Sequence, residues 1–419
     1  MSTSPAGAST AASGPRTSTA PGRPVPPGAY VALALATVGF AVNFWAWALL
    51  SPLGPRFRDQ LHLSSFQQAL VVAVPVVVGS LGRIPVGSLT DRFGGRVLFP
   101  VVSFLTILPV LFIGVLGHDS LGALLVGGFF LGFGGTTFAV GVPVVTAWFP
   151  PERRGFAVGV FGMGMGGTAI SALTTVKLVK AHGTAAPFLL TAVALAAFGL
   201  VAAALLRDAP DRPLPTEPAL RRLGRAVRLP ITWEAGLLYA VGFGGYVAFS
   251  VYLPTYLKTA YHLDQADAAN KMAGFVLLAV LMRPIGGWLS DRIPPTRVLA
   301  AVFAVVAVCA VVQSSTPGLA PAGTIAFLVM AAALGTASGA VFALVAQRAP
   351  GNQVGSVTGL VGAAGGLGGF VPPLVMGSVY SHNGSYAGGL FALAVVAAAA
   401  SGWCLMSSRR PTAPATATA

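Results

Sequence analysis

The stretch Val78–Arg96, VGSLGRIPVGSLTDRFGGR, places an arginine inside an apolar run and a charged turn just beyond it. The chain repeats the arrangement 200 residues later: in VLMRPIGGWLSDRIPPTR, Arg283 stands eight residues before Asp291, as Arg83 stands eight before Asp91, and Gly287 answers Gly87. Two cations at matching places inside apolar runs point to a site for an anion.

The surroundings of that stretch are a membrane protein's. Of 419 residues 55% are hydrophobic and 9% charged, with mean hydropathy +0.79, whereas soluble domains carry about 25% charged residues. The net charge of +14 is spread as pairs between apolar runs, which argues against nucleic acid as a partner. Cys309 and Cys404 lie far apart in apolar segments without metal-ligand spacing, so neither a disulfide framework, a metal nor another cofactor is expected. Residues 1–28 are rich in Pro, Ser, Thr, Ala and Gly and read as a disordered tail without a signal peptide's apolar core.

A hydrocarbon layer of about 30 Å takes roughly 20 apolar residues per helix. Twelve such windows recur, near 30–52, 66–89, 97–116, 121–148, 156–176, 185–206, 233–257, 272–290, 298–315, 322–346, 355–379 and 386–407. The expected fold is an all-α membrane protein of two six-helix halves, 29–206 and 231–407, joined by the polar stretch 207–230 and followed by a tail at 408–419. With the amino terminus inside, 17 of the 25 Lys and Arg residues fall on the inner side and six on the outer. Both termini are therefore expected in the cytoplasm, on the inner side of the cytoplasmic membrane. Arg83 and Arg283 are left within the layer.

Repetition extends past the opening motif. Leu61-His62-Leu63 is echoed by Tyr261-His262-Leu263, and Gly159, Gly162 and Gly166 fall on Gly359, Gly362 and Gly366. Halves with the same topology imply a pseudo-two-fold axis along the membrane normal and a site at the midplane between them. The glycine motifs, with Gly162, Gly164, Gly166 and Gly167 in one half and Gly362, Gly365, Gly366 and Gly368 in the other, let neighbouring helices approach closely and rock.

Eight residues of helix put Arg83 about 12 Å deeper than Asp91, near the centre of the layer, and the same holds for Arg283. An arginine there costs at least about 2.5 kcal/mol on insertion scales and usually faces a cavity or a partner. The eleven acidic residues all map to loops or helix ends, so no carboxylate neutralises the pair. A bound oxyanion would satisfy both planar forks; the competing structural role is that each guanidinium bonds helix carbonyls.

The turn Gly87-Ser-Leu-Thr-Asp91-Arg92-Phe-Gly-Gly-Arg96 resembles the signature loop of the major facilitator superfamily, and Gly287-Trp-Leu-Ser-Asp291-Arg292 is its weaker copy. That resemblance implies the major facilitator fold and a cytoplasmic latch made by Asp91, Arg92 and Arg96, with Asp291 and Arg292 at the corresponding place. Within the superfamily the chain is similar to the nitrate/nitrite porter family over roughly residues 35–405. The likeness rests on Gly79-Ser-Leu-Gly-Arg83-Ile-Pro85, on Gly242-Phe-Gly-Gly-Tyr-Val-Ala-Phe-Ser250 with Tyr252-Leu-Pro-Thr-Tyr256, on Arg283, and on Gly362-Ala-Ala-Gly-Gly-Leu-Gly-Gly-Phe370. It implies that Arg83 and Arg283 hold the anion, that Tyr239 adds a hydroxyl and that Phe138 packs against the substrate. The family's glycine motif often carries an asparagine in each half, where Met165 and Gly366 stand here. Methionine cannot donate to a planar oxyanion, so the choice between nitrate and nitrite is open.

All five histidines map to outer loops, and no proton-relay residue is visible in the core. Nitrate/nitrite exchange and proton-coupled uptake both stand. The expected protein is a monomeric alternating-access transporter of nitrate or nitrite, with another small anion such as formate or oxalate as the alternative and a sensor or channel behind it. No catalytic arrangement of an enzyme appears.

Overall fold

The structure is a computed structural model that describes residues 25–210, 217–350 and 353–408. Most of the amino-terminal tail, residues 211–216 of the linker, the tail beyond Ser408 and the side chain of Asp291 lie outside the described residues. Among those described, twelve helices are long and apolar enough to cross a membrane. They are α1 (Pro27–Leu61), α2 (Ser65–Phe93), α3 (Gly95–Gly117), α4 (Leu121–Trp148), α5 (Ala157–His182), α6 (Ala186–Leu205), α7 (Pro230–Tyr261), α8 (Gln265–Ser290), α9 (Pro295–Ser314), α10 (Leu319–Val345), α11 (Ser356–Asn383) and α12 (Ala387–Ser408). Several run past the apolar windows, because polar ends continue the backbone ladder outside the hydrocarbon layer.

The twofold repetition is visible in the backbone. The α1/α2 and α7/α8 turns both hinge on a histidine in the left-handed region, His62 at φ 50° and His262 at φ 54°. Histidine is among the non-glycine residues enriched there. Asp264 and Ser64 then cap the following helices, accepting the N–H groups of Ala266 and Gln67.

Burial sorts the helices into layers. In the most apolar stretch of α7, 83% of residues are buried, against 39% in α6 and 33% in α12, so α7 is central and those two peripheral. Exposed apolar side chains line α3, α6, α9 and α12, among them Leu116, Val193, Val308 and Phe391. An apolar surface that broad belongs against lipid, and the chain is a multi-pass membrane protein.

The linker departs from a plain loop. Ala219–Val227 form a short helix whose carbonyls at Ala226 and Val227 accept Thr232 Oγ1 at 2.6 Å and Trp233 Nε1 at 2.8 Å, fixing it to the start of α7. Prolines and arginines dominate 207–218, and they mask this helix in the sequence pattern.

The turns α1/α2, α5/α6 and α7/α8 define a far face, opposite the linker. There the halves are bolted together. Ser51 Oγ donates toward the carbonyls of Ser250 and Val251 at 3.0 and 2.8 Å. Gln68 Nε2 meets Thr255 Oγ1 at 2.9 Å and Gln265 Nε2 meets the Pro52 carbonyl at 2.7 Å. Two ion pairs cross outside them, Lys258 with Asp59 at 2.5 Å and Lys180 with Asp264 at 3.2 Å. The structure is therefore closed toward the far face.

Candidate functional site

Arg83 and Arg283 are 5% and 7% exposed, and both aim into the seam between the halves. Their guanidinium carbons each lie 5.5 Å from the centroid of the same ring, Phe243 of α7. Arg83 also sits 5.1 Å from Phe138 of α4. Facing a ring's negative quadrupole is one of the few ways to hold a cation in an apolar layer without a carboxylate. Among the described residues, none of the buried ones is acidic.

Local helix geometry supplies further partners. The segment Gly132–Thr136 of α4 tightens to a 3-10 turn, and the Gly135 carbonyl there accepts Arg83 Nε at 3.3 Å. Arg83 Nη1 crosses to the Gly362 carbonyl of α11 at 2.7 Å. Carbonyl bonding is what a structural arginine would show, but it uses two of five N–H groups and leaves the outer edge of the fork. Arg283 bonds no backbone carbonyl in the structure described: its Nη2 donates to Tyr239 Oη at 3.0 Å and its Nη1 touches Met165 Sδ.

Tyr239 and Phe243 are one helical turn apart, and their rings stack at 4.8 Å, as i and i+4 side chains on one face do. Phe342 of α10 closes the aromatic box, 4.8 Å from Tyr239 and 6.2 Å from Phe138. Beyond the box toward the far face, the buried pair Thr168 and Tyr246 joins the halves at 3.3 Å.

The four binding residues expected from sequence thus meet in one place. The glycines divide. Gly162 and Gly362 leave room beside the guanidiniums of Arg283 and Arg83; Gly164 and Gly167 press on α1, and Gly365 and Gly368 on α7 at Tyr239 and Ala240. A Cβ at Gly366 would strike the Ser80 hydroxyl, so Ser80 fills part of the space an asparagine would take, whereas Gly166 faces open space. A small cavity, about 10 Å³ for the centre of a water molecule, lies between Ser80, Arg83, Val247 and Gly366. It has room for roughly one water.

The charged turn lies at the linker face. Asp91 pairs with Arg222 of the linker helix at 2.8 Å, and Asp208 accepts the amides of Gly95 and Arg96 at 2.8 and 3.3 Å. Arg92 stands over Phe93 and Arg292 over Trp288, at 5.3 and 4.0 Å.

The chain matches the Major Facilitator Superfamily over residues 36–373 and 272–418. It is 49% identical over 381 residues to a probable nitrate/nitrite transporter of Mycobacterium tuberculosis, covering 90% of this chain and 96% of that protein. The nitrite extrusion protein of Bacillus subtilis is 37% identical over 372 residues, 88% of this chain and 92% of the relative. A probable nitrate transporter of Staphylococcus epidermidis is 32% identical over 364 residues, 87% and 92%. This chain belongs to the nitrate/nitrite porter family of the major facilitator superfamily.

Its fold agrees with that placement. A bacterial homolog of the human lysosomal transporter Spinster, solved in an inward-facing and occupied conformation, superposes with a TM-score of 0.72 at 18% identity, covering 92% of this chain and 97% of the other. The human organic anion transporter MFSD10 gives 0.73 at 14% identity, covering 90% and 100%. Membership places the protein among porters and not among enzymes. Phe243 was not singled out by sequence reasoning. Its signal was the one-turn spacing from Tyr239 inside a glycine-rich stretch.

Proposed function

We propose that the protein exchanges nitrate and nitrite across the cytoplasmic membrane by alternating access, with both termini in the cytoplasm and the anion held between Arg83 and Arg283. The observation that carries this is the shared ring: one guanidinium from each half lies 5.5 Å from Phe243, with no buried carboxylate among the described residues. Two like charges in a low-dielectric seam repel, and a small oxyanion between them accepts from both forks. Names of relatives that carry nitrate or nitrite support the same substrate.

Binding the anion from both halves couples occupancy to the rocking motion, because a filled site draws the halves together. An empty carrier would have to reorient with two unneutralised cations at midplane, which favours exchange over one-way movement. Proton-coupled uptake would need a titrating group on the path, and the buried ionisable groups beside the arginines are the phenols Tyr239 and Tyr246. The experiment is counterflow in proteoliposomes. Nitrate influx driven by internal nitrite and indifferent to a pH gradient supports exchange; influx driven by the pH gradient without internal nitrite contradicts it; competition by formate or oxalate without nitrate transport would replace the substrate.

A further inference from the structure

Five of the protein's eight tyrosines gather toward the far face of the carboxy-terminal half: Tyr252, Tyr256 and Tyr261 on α7, Tyr380 on α11 and Tyr386 just before α12. The Tyr386 ring lies 5.1 Å from Tyr256, 6.1 Å from Tyr252 and 4.5 Å from Tyr380. Tyr252, Tyr256 and Tyr386 are 4%, 2% and 3% exposed, and the hydroxyl oxygen of each is buried with other phenols and Thr259 as polar neighbours but none at good hydrogen-bonding geometry. Elsewhere in the same half buried phenols are satisfied, Tyr239 by Arg283 and Tyr246 by Thr168. Burying three hydroxyls together with only poorly aligned contacts to one another opposes folding, and a cluster of donors short of an acceptor suits an anion that comes and goes.

The place suits such a partner. Tyr252 and Tyr256 flank Thr255 and follow Ser250 and Val251, the residues through which α7 is bolted to Ser51 and Gln68 of the other half. Opening the far face breaks those contacts and exposes this wall. Arg58, partly buried on α1 across the seam, stands next to Asp59, whose carboxylate pairs with Lys258 two residues beyond Tyr256. Phenol donors on one side and a guanidinium from the other repeat the chemistry of the midplane, where Tyr239 and Arg283 face Arg83.

We propose that Tyr252, Tyr256 and Tyr386, with Arg58 of the opposite half, form a second oxyanion site on the far-face side of the pathway, which takes the anion before or after the Arg83 and Arg283 pair. The ligand is a small oxyanion that accepts charge-assisted phenol O–H bonds, and the identification of it as nitrate or nitrite rests on the function proposed above. The site is collapsed while the far face is sealed and assembles around the anion as the face opens.

The test is thermal unfolding of the full chain in detergent, with sodium nitrate titrated against sodium chloride at matched ionic strength. The R83K/R283K chain, its midplane forks disabled, is expected to keep a weaker, saturable, nitrate-specific rise in melting temperature. Adding Y252F/Y386F is expected to abolish it. In anion-free buffer Y252F/Y386F is expected to melt close to the wild type, since only poorly aligned contacts among the hydroxyls are lost. On the wild-type background the same pair should raise half-saturating nitrate for counterflow severalfold. The proposal is overturned if R83K/R283K shows no nitrate-specific rise, if that rise survives the tyrosine changes, if the anion-free chain melts lower, or if half-saturation is unmoved. Should the wild type neither bind nor carry nitrate or nitrite, the proposed substrate fails instead, and the same comparison with the anion it does carry decides the site.

Discussion

Arg283 donates from Nη2 to the hydroxyl of Tyr239 at 3.0 Å, and in doing so turns its fork toward the ring it shares with Arg83. The phenol is held by stacking on Phe243 and by the flat surface that Gly365 leaves for it. Tyr239→Phe keeps the stack and removes the acceptor. An unmet donor on a buried charged group costs about 1–3 kcal/mol, so half-saturating nitrate should rise roughly tenfold or more, measured by counterflow. A variant indistinguishable from wild type would remove Tyr239 from the site.

Met165 sets its thioether on the other nitrogen of Arg283. Met165→Asn places an amide donor there, and one net hydrogen bond of about 1 kcal/mol predicts roughly fivefold tighter nitrate binding. Nitrate titration against thermal unfolding reads this directly. Weaker binding would mean that the thioether orients the arginine and that an amide disturbs it.

At the linker face, the Asp91 and Arg222 side chains are 33% and 27% exposed. Coupling between partly exposed charges is about 0.2–1 kcal/mol, enough to shift the balance of the two faces without unfolding the chain. Exchange rates of D91N, R222Q and the double variant should be non-additive. Strict additivity would separate the linker from the latch.

The Asp264 carboxylate accepts the Ala266 amide and pairs with Lys180 across the far seam, which holds it below its ordinary value of 3.8. A depressed acid contributes above its unfolded value and loses that contribution as pH falls through the lower folded one. This bolt is therefore fully formed from pH 5 to 8 and fails only below about 3.8. Asp264→Asn should leave the shape of the transport profile between pH 5 and 8 unchanged, checked by counterflow across that range; a new pH step there would contradict the assignment.

Much of this arrangement is written locally in the chain. The burial of Arg83 and Arg283 is anticipated by the eight residues of helix that separate each from the aspartate of its charged turn, and their meeting at one ring by the repeat. Asp208 and Arg222 were hidden in a stretch that reads as a basic linker, because pairing them with the turn at Asp91–Arg96 requires knowing how that linker folds back. The far-face bolts are illegible for a related reason: Ser51 and Gln68 are ordinary small polar residues until α7 is set beside them. Phe243 reads as core, since an aromatic in an apolar helix is unremarkable until two cations are found within 5.5 Å of its ring. Ser80 filling the place opposite Gly366 is a matter of packing that no pattern along one helix records.

The central claim is that the two guanidiniums hold the transported anion between the halves. The most direct measurement is nitrite-driven nitrate counterflow by R83K and by R283K, each reconstituted at wild-type density. Lysine keeps the charge and loses the planar fork, so each variant is predicted to fall to a few per cent of wild-type exchange or less while remaining in the membrane. Near-normal exchange by both would contradict the account.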